Sequence, residues 1–406
     1  MTLPESSREI FATPRAPASV RDSLVPQPGL AQRLPRRGPG RAILAGLAIA
    51  VLLLLMIFVI VYLIGGLGIG AFAFAGVLAM VPLVIVLVGI RLIDRGDPEP
   101  RSALVFAFLW GAAVAVLIAL VVGAEIDNVV NSLGGPGPGY AFFGAAIQAP
   151  IVEETGKGLG VLLLFLFARR HFDGPVDGIV YAATVAAGFA FTENILYFGQ
   201  AVIESGGATA GIFPIFLVRG LMSPFAHVMF TSCIGIFLGI AASRTSGSGA
   251  IGYFLLGLIP AVLLHGLWNG SLFFVRDFFG YYALVQFPLF VLAVVIVVYL
   301  RRKESAITRQ RLSEYAAAGW FDPAELGALA TAPGRRVAMA WARQRGVGPI
   351  MKSYIRDSTR LAFARHRLLS GRTDAWGEAD GSARADESAL LQSVVASRQA
   401  LQGGIR

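Results

Sequence analysis

Cysteine is almost missing from this chain of 406 residues. The one that occurs, Cys233, lies in an apolar run, so no disulfide framework exists within the chain. Charge is scarce as well: Asp, Glu, Lys and Arg make up 15% of the residues, against ~25% in a soluble domain. A water-soluble globule is thereby excluded. No short leader run precedes the first apolar stretch, which begins near Ala42 and is too long for the core of a cleaved signal. Hydrophobic residues fill the chain instead, at 56% of the total and a mean hydropathy of +0.69. The fold class is therefore all-α, a polytopic membrane helix bundle. The net charge of +9 would suit a nucleic-acid binder. The basic residues, however, collect in the two tails and in the short loops of one side. That is the pattern of topology control and anionic-lipid contact. The expected partner is the bilayer, with no nucleic acid.

Residues 1–41, rich in Pro, Arg, Ser and Gly, read as a disordered basic arm. Arg33, Arg36, Arg37 and Arg41 crowd the first membrane entry, which predicts a cytoplasmic N-terminus. A transmembrane core is expected over 42–300, with eight spans at 42–64, 69–90, 103–123, 140–168, 176–198, 212–242, 251–275 and 281–300. Gly65-Gly66-Leu67-Gly68 forms a tight uncharged turn between the first two. Residues 212–242 are too long for one upright crossing of ~20 residues and short for two. A short interfacial or re-entrant helix before Pro224 resolves the mismatch. The arginine-rich loops then share one side and the acidic loops the other. An even count leaves both termini of this cell-membrane protein in the cytoplasm. Residues 301–372 read as a small basic helical tail; its bases are either a solvated face or a membrane-surface module. From 373 to 406 the composition turns polar and small, a largely flexible end with room for one terminal helix.

The chain is organised around Glu153-Glu154-Thr155-Gly156-Lys157, inside a run otherwise apolar from Tyr140 to Ala168. A charge at bilayer depth costs at least about 2.5 kcal/mol, so such residues are functional by default. Glu153 and Lys157 are four apart and share a helix face, whereas Glu154 is turned by ~100° from Glu153. One acid is thus expected to do chemistry and the other to pair with Lys157. The next spans add Glu193 with Asn194, then Arg219 and His227, then His265 with Asn269 one turn on. Depth allows these groups to converge on one pocket. Carboxylates, two imidazoles and carboxamides form a kit for activating water and holding an oxyanion. They equally form a site for a divalent metal such as zinc, with His227, His265 and a glutamate, Glu193 among the choices, as ligands. Each residue also has a plainer reading: interhelical hydrogen bonds for the histidines and asparagines, an interfacial position for Arg219. No His-Glu-x-x-His occurs, and no serine sits in a nucleophile setting.

Glu153-Glu154-x-x-Lys157, Phe189-x-x-x-Glu193-Asn194, Arg219 leading to His227, and His265-x-x-x-Asn269, in that order on successive spans, resemble the PrsW family of intramembrane proteases. The loop Asp94-x-x-Asp97-Pro98-Glu99-Pro100 fits it too. The likeness covers roughly 42–300. It implies proteolysis in or near the membrane, on single-pass substrates such as anti-sigma factors. By a more distant likeness to the CAAX prenyl proteases, Glu153 would be the general base, His265 and Asn269 would hold the oxyanion, and Glu154 with Lys157 would brace the helix. The CAAX pattern has a histidine where this chain has Glu193, so metal-free and metal-dependent mechanisms both stand. Two other functions compete. A proton- or ion-coupled carrier would use the same groups as a relay, but the first and last four spans show no repeat. A non-catalytic scaffold would bind a partner's transmembrane helix.

Overall fold

The computed structural model describes residues 39–95, 98–167, 172, 174–207, 209–242, 244, 249–369 and 381–403. The basic arm lies outside these residues up to Gly38, as do Asp97 and the Arg169-Arg170-His171 turn. All regular structure among the described residues is helical. In the core, α1 is Pro39–Ile93, α2 Arg101–Ser132, α3 residues 140–167, α4 Pro175–Glu204, α5 residues 209–222, α6 Ala226–Ala242, α7 Ala250–Phe274 and α8 Phe278–Ala317. The tail adds α9 Pro323–Ala330, α10 Ala332–Gln344, α11 Gly348–Leu369 and α12 Gly381–Gly403.

Among the described residues six stretches are long and apolar enough to cross a membrane: Gly46–Ile93, Arg101–Ser132, Pro175–Glu204, Gly211–Ala242, Ala250–Phe274 and Phe278–Ala317. They map onto the eight expected spans with two differences. The first holds two expected spans, and 140–167, which carries Glu153, Glu154 and Lys157, is outside the set. Within α1 the chain breaks at Gly68, whose φ of 77° and ψ of 156° only glycine tolerates readily. Val59 and Leu63 before the break, and Ala75 and Ala79 after it, are buried in one apolar cluster with Phe189 and Phe198. A straight rod could not bury both halves there, so α1 folds back at Gly68. Its second limb runs antiparallel to α4. Leu67 meets Gly199 at one end, while Leu83, Val86 and Ile90 pack on Val180, Ala183 and Ala187 at the other.

The centre of the bundle is α4, buried without interruption from Ile179 to Phe189. Small residues let its neighbours approach to backbone contact, the usual device for packing helices in lipid. A Cβ on Gly178 would lie 1.9 Å from the Gly235 carbonyl oxygen of α6, and one on Gly188 would lie 2.1 Å from that of Phe108 in α2. Among the described residues four π-helical turns interrupt the core helices, at Trp110–Ala115, Gly144–Gln148, Phe216–Met222 and Tyr282–Gln286. Such turns free backbone groups and recur at functional sites. The third ends α5 just before the Ser223–Phe225 break, the interruption that Pro224 predicted. Ser223 Oγ donates to Val218 O at 2.6 Å and Tyr282 OH to Met222 O at 2.5 Å, which satisfies the freed carbonyls.

α8 leaves the bundle without a break and becomes the first helix of the tail. The tail core gathers Leu312, Tyr315, Phe321, Trp341, Met351 and Tyr354. The terminal helix for which the sequence left room spans Gly381–Gly403, 23 residues, with Leu391, Val394 and Leu401 buried in that same core. Three apolar residues at helical spacing suffice, although small polar residues between them mask the stripe in composition.

Candidate active site

Five helices, α3 to α7, deliver the charged and imidazole side chains to one place. On α3, Glu154 and Lys157 are fully buried, and Gly158 and Gly160 let Ile234, Phe254 and Trp110 of neighbouring helices pack close against the helix. Lys157 Nζ donates to Glu154 Oε1 at 2.6 Å. The same carboxylate faces His265 Nδ1 of α7 at 3.0 Å, and its Oε2 accepts from Thr231 Oγ1 of α6 at 2.8 Å. Glu154 is therefore saturated. Glu153 is not: its side chain is 12% exposed, and its buried Oε2 has no hydrogen-bond partner. The nearest polar groups are Lys157 Nζ at 3.6 Å and His265 Nε2 at 3.9 Å.

The second half of the site is built on α4, α5 and α6. Glu193 Oε2 accepts from Arg219 at 2.6 Å and faces His227 Nε2 at 2.9 Å. Arg219 Nε donates to Asn194 Oδ1 at 3.1 Å, and its guanidinium covers the Tyr197 ring. Arg219 is thus a partner inside the bundle, not an interfacial side chain. His227 stands in the first turn of α6, directly after the Pro224 break, with Nδ1 at 3.2 Å from Lys157 Nζ. The two imidazoles stand edge to face with centroids 5.1 Å apart, and Phe230 stacks on His265 at the same distance. Phe189 closes the site under Lys157 Nζ at 4.2 Å.

Each imidazole thus has one nitrogen against a carboxylate: Glu154 for His265, Glu193 for His227. That arrangement fixes ring orientation and tautomer. Three carboxylates (Glu153, Glu154, Glu193) face two basic side chains (Lys157, Arg219), and Glu153 is the carboxylate short of partners. Glu153, His227 and His265 each offer a ligand atom within 4.8 Å of the others, a set able to hold a metal ion. Glu193 was the glutamate expected beside the two histidines as a ligand. The structure puts Glu153 there, because Arg219 and His227 already engage the Glu193 oxygen. Asn269 stands apart in its bonding. Its Nδ2 donates to Ala145 O at 2.9 Å, tying α7 to the π-turn of α3. Thr231 was missed by sequence reasoning; its only signal was a position one turn after His227.

The family model for the PrsW family intramembrane metalloprotease matches residues 99–299. Protease PrsW of Oceanobacillus iheyensis is 32% identical over 229 residues, 56% of this chain and 95% of that protein. The Geobacillus kaustophilus protein of the same name is 30% identical over 206 residues, 50% and 81% of the two chains. That of Clostridioides difficile is 29% identical over 194 residues, 48% and 76%. No solved structure matches the chain. With the bundle, the buried carboxylate–imidazole centre and these relatives together, the chain belongs to the PrsW family of intramembrane proteases.

Proposed function

We propose that this protein is an endopeptidase that cleaves single-pass membrane proteins of the anti-sigma-factor type, in or next to the bilayer, at the centre formed by Glu153, His227 and His265. The observation that carries the reading is the Glu153 carboxylate. It is half-buried, its buried Oε2 lacks a hydrogen-bond partner, and it offers an oxygen within 4.8 Å of nitrogens on two imidazoles that other carboxylates orient. Membership of a protease family sets aside the carrier and scaffold readings.

The donor set fits a divalent ion of the zinc type, for which two histidines and a glutamate are a familiar catalytic trio. Glu153, His227 and His265 would hold it. When bound, such an ion supplies Lewis-acid activation of water and of the scissile carbonyl. The remaining residues prepare the site. Glu154 and Thr231 hold His265, Glu193 and Arg219 hold His227, and Lys157 balances Glu154. Phe189 and Phe230 wall the centre and keep bulk water from it.

One observation favours a second reading. Lys157 Nζ lies close enough to His227 Nδ1 to occupy its lone pair. In a metal-free site Glu153 would take the proton from water and His265 would face the developing oxyanion. Asn269 is less suited to that task, since its amide is bonded to Ala145.

The charge pattern supports termini on the cytoplasmic side, with Arg301, Arg302 and Lys303 at the exit of α8. Co-expression with a tagged single-pass substrate tests the assignment. Cleavage should disappear in Glu153→Gln and His265→Ala; unchanged cleavage in both sinks it. Metal content of the purified protein, and activity after chelation and zinc add-back, separate the two mechanisms.

A further inference from the structure

The tail carries an excess of bases, and the structure sharpens that excess at its surface. Among the described residues most of its acids are engaged by partners within the tail, Asp386 of α12 being exposed. Glu325 is fully buried against Arg398 and Tyr354, Asp357 is buried with Arg356 and Ser393, and Glu314 pairs with Arg311 and Arg365. Arg336, Arg343, Arg345 and Lys352 are exposed and make no ion pair among the described residues. Arg336 and Arg343, seven apart, share the outer face of α10. Arg345 follows at the turn, where Gly346 has a φ of 72°, and Lys352 lies just inside α11. Arg345 is steadied over the Trp341 ring at 4.7 Å. Between the bases Val337 is 56% exposed, an apolar residue of the kind interfacial helices insert.

The location of this corner decides what it faces. Lys352 is close enough to Asp94 to act on its charge, and Asp94 directly follows the last turn of α1. This end of α1 presents apolar surface outward, with Val88 54% and Leu92 49% exposed, and Arg91 is exposed too. The corner therefore lies at the depth where apolar helix surface ends. We propose that the α10–α11 corner, through Arg336, Arg343, Arg345 and Lys352, docks on the phosphate-bearing head groups of anionic phospholipids in the leaflet beside the tail. The tail is then held against the membrane on a second point besides α8. This surface does not depend on the chemistry assigned to Glu153.

Hydrogen exchange of the full-length protein in nanodiscs tests the docking. One set of discs holds phosphatidylcholine alone and the other adds phosphatidylglycerol. Amides of residues 335–352 should exchange several-fold more slowly in the anionic discs. The contrast should shrink in high salt, as the screening length falls from ~10 to ~3 Å. The quadruple variant R336Q/R343Q/R345Q/K352Q should exchange alike in both discs, while protection around Tyr354 and Leu361 reports an intact tail. Should that variant lose its tail fold, the single substitution Arg345→Gln still reduces head-group affinity about five-fold. Equal exchange of the wild type in the two discs overturns the proposal. So does a contrast that survives in a folded variant, or protection that arises only on adding an acidic peptide or an oligonucleotide.

Discussion

Two buried charge networks, one in the membrane core and one in the tail, use the same kinds of residue to opposite ends. In the tail, Glu325 accepts from both Arg398 Nε and Nη2 at 2.8 and 2.9 Å, from Tyr354 OH at 2.8 Å, and from the Asp322 backbone NH at 2.9 Å. Arg398 spends a further donor on the Trp320 carbonyl. Nothing is left over. In the core, Glu154 is just as saturated, but Glu153 beside it is not, with His265 Nε2 3.9 Å from its oxygen and His227 close by. A filled network fixes a fold; a network with one unpaired acceptor in a confined space is equipped to bind or to react.

The sharpest way to break this contrast is to neutralise each carboxylate in turn. Glu153→Gln should lower cleavage by about 10²–10⁴-fold, the range for losing a positioned proton-transfer group. It should leave thermal stability in detergent almost unchanged, since no hydrogen bond is lost. Arg398→Ala should do the reverse. Stranding the buried Glu325 charge should cost about 3–5 kcal/mol of tail stability, read by denaturant titration or by exchange of α9 and α12. Cleavage per molecule with a folded core should persist. If Arg398→Ala abolishes cleavage while the core stays folded, the two networks are coupled and the division fails.

A smaller effect separates bracing from chemistry. Thr231→Val removes one donor to Glu154 and should weaken the site by about 1–3 kcal/mol, seen as reduced cleavage that Thr231→Ser restores. The smallest effect concerns Asp94, at the seam of core and tail. Burial raises its pKa to about 6 against the ordinary 3.8, with the Glu99 NH, Arg91 and Lys352 pulling the other way. The folded protein therefore disfavours the ionised form. Stability is fullest below the ordinary value and falls as pH rises through about 4 to 6. Asp94→Asn should stabilise at neutral pH by about 1–2 kcal/mol and give no gain below pH 4, as melting curves across that range will show.

Much of the core was legible because charge in an apolar run stands out against its surroundings. Glu153, Glu154, Lys157, Glu193, Arg219, His227 and His265 were all visible, and helix periodicity separated the two adjacent acids. Which glutamate joins the imidazoles was not legible, because it depends on where Arg219 of α5 reaches. Thr231 was hidden by being an ordinary residue in an apolar helix; Asn269 was visible, but not its partner, a backbone carbonyl on another element. A terminal helix was allowed for, but not the burial of α12: its apolar positions are few, and only the tail core they fill reveals them. The π-turns leave no mark in hydropathy at all.

The glycine contacts along α4 have a mechanical consequence. Where carbonyl oxygens already occupy the space of a missing side chain, the helix can neither rotate nor slide past α2 and α6. α4 is a keel, and Glu193 rides on it at a fixed height. Any gate through which a polypeptide reaches Glu153 must swing on the outer walls, on helices with lipid at their backs.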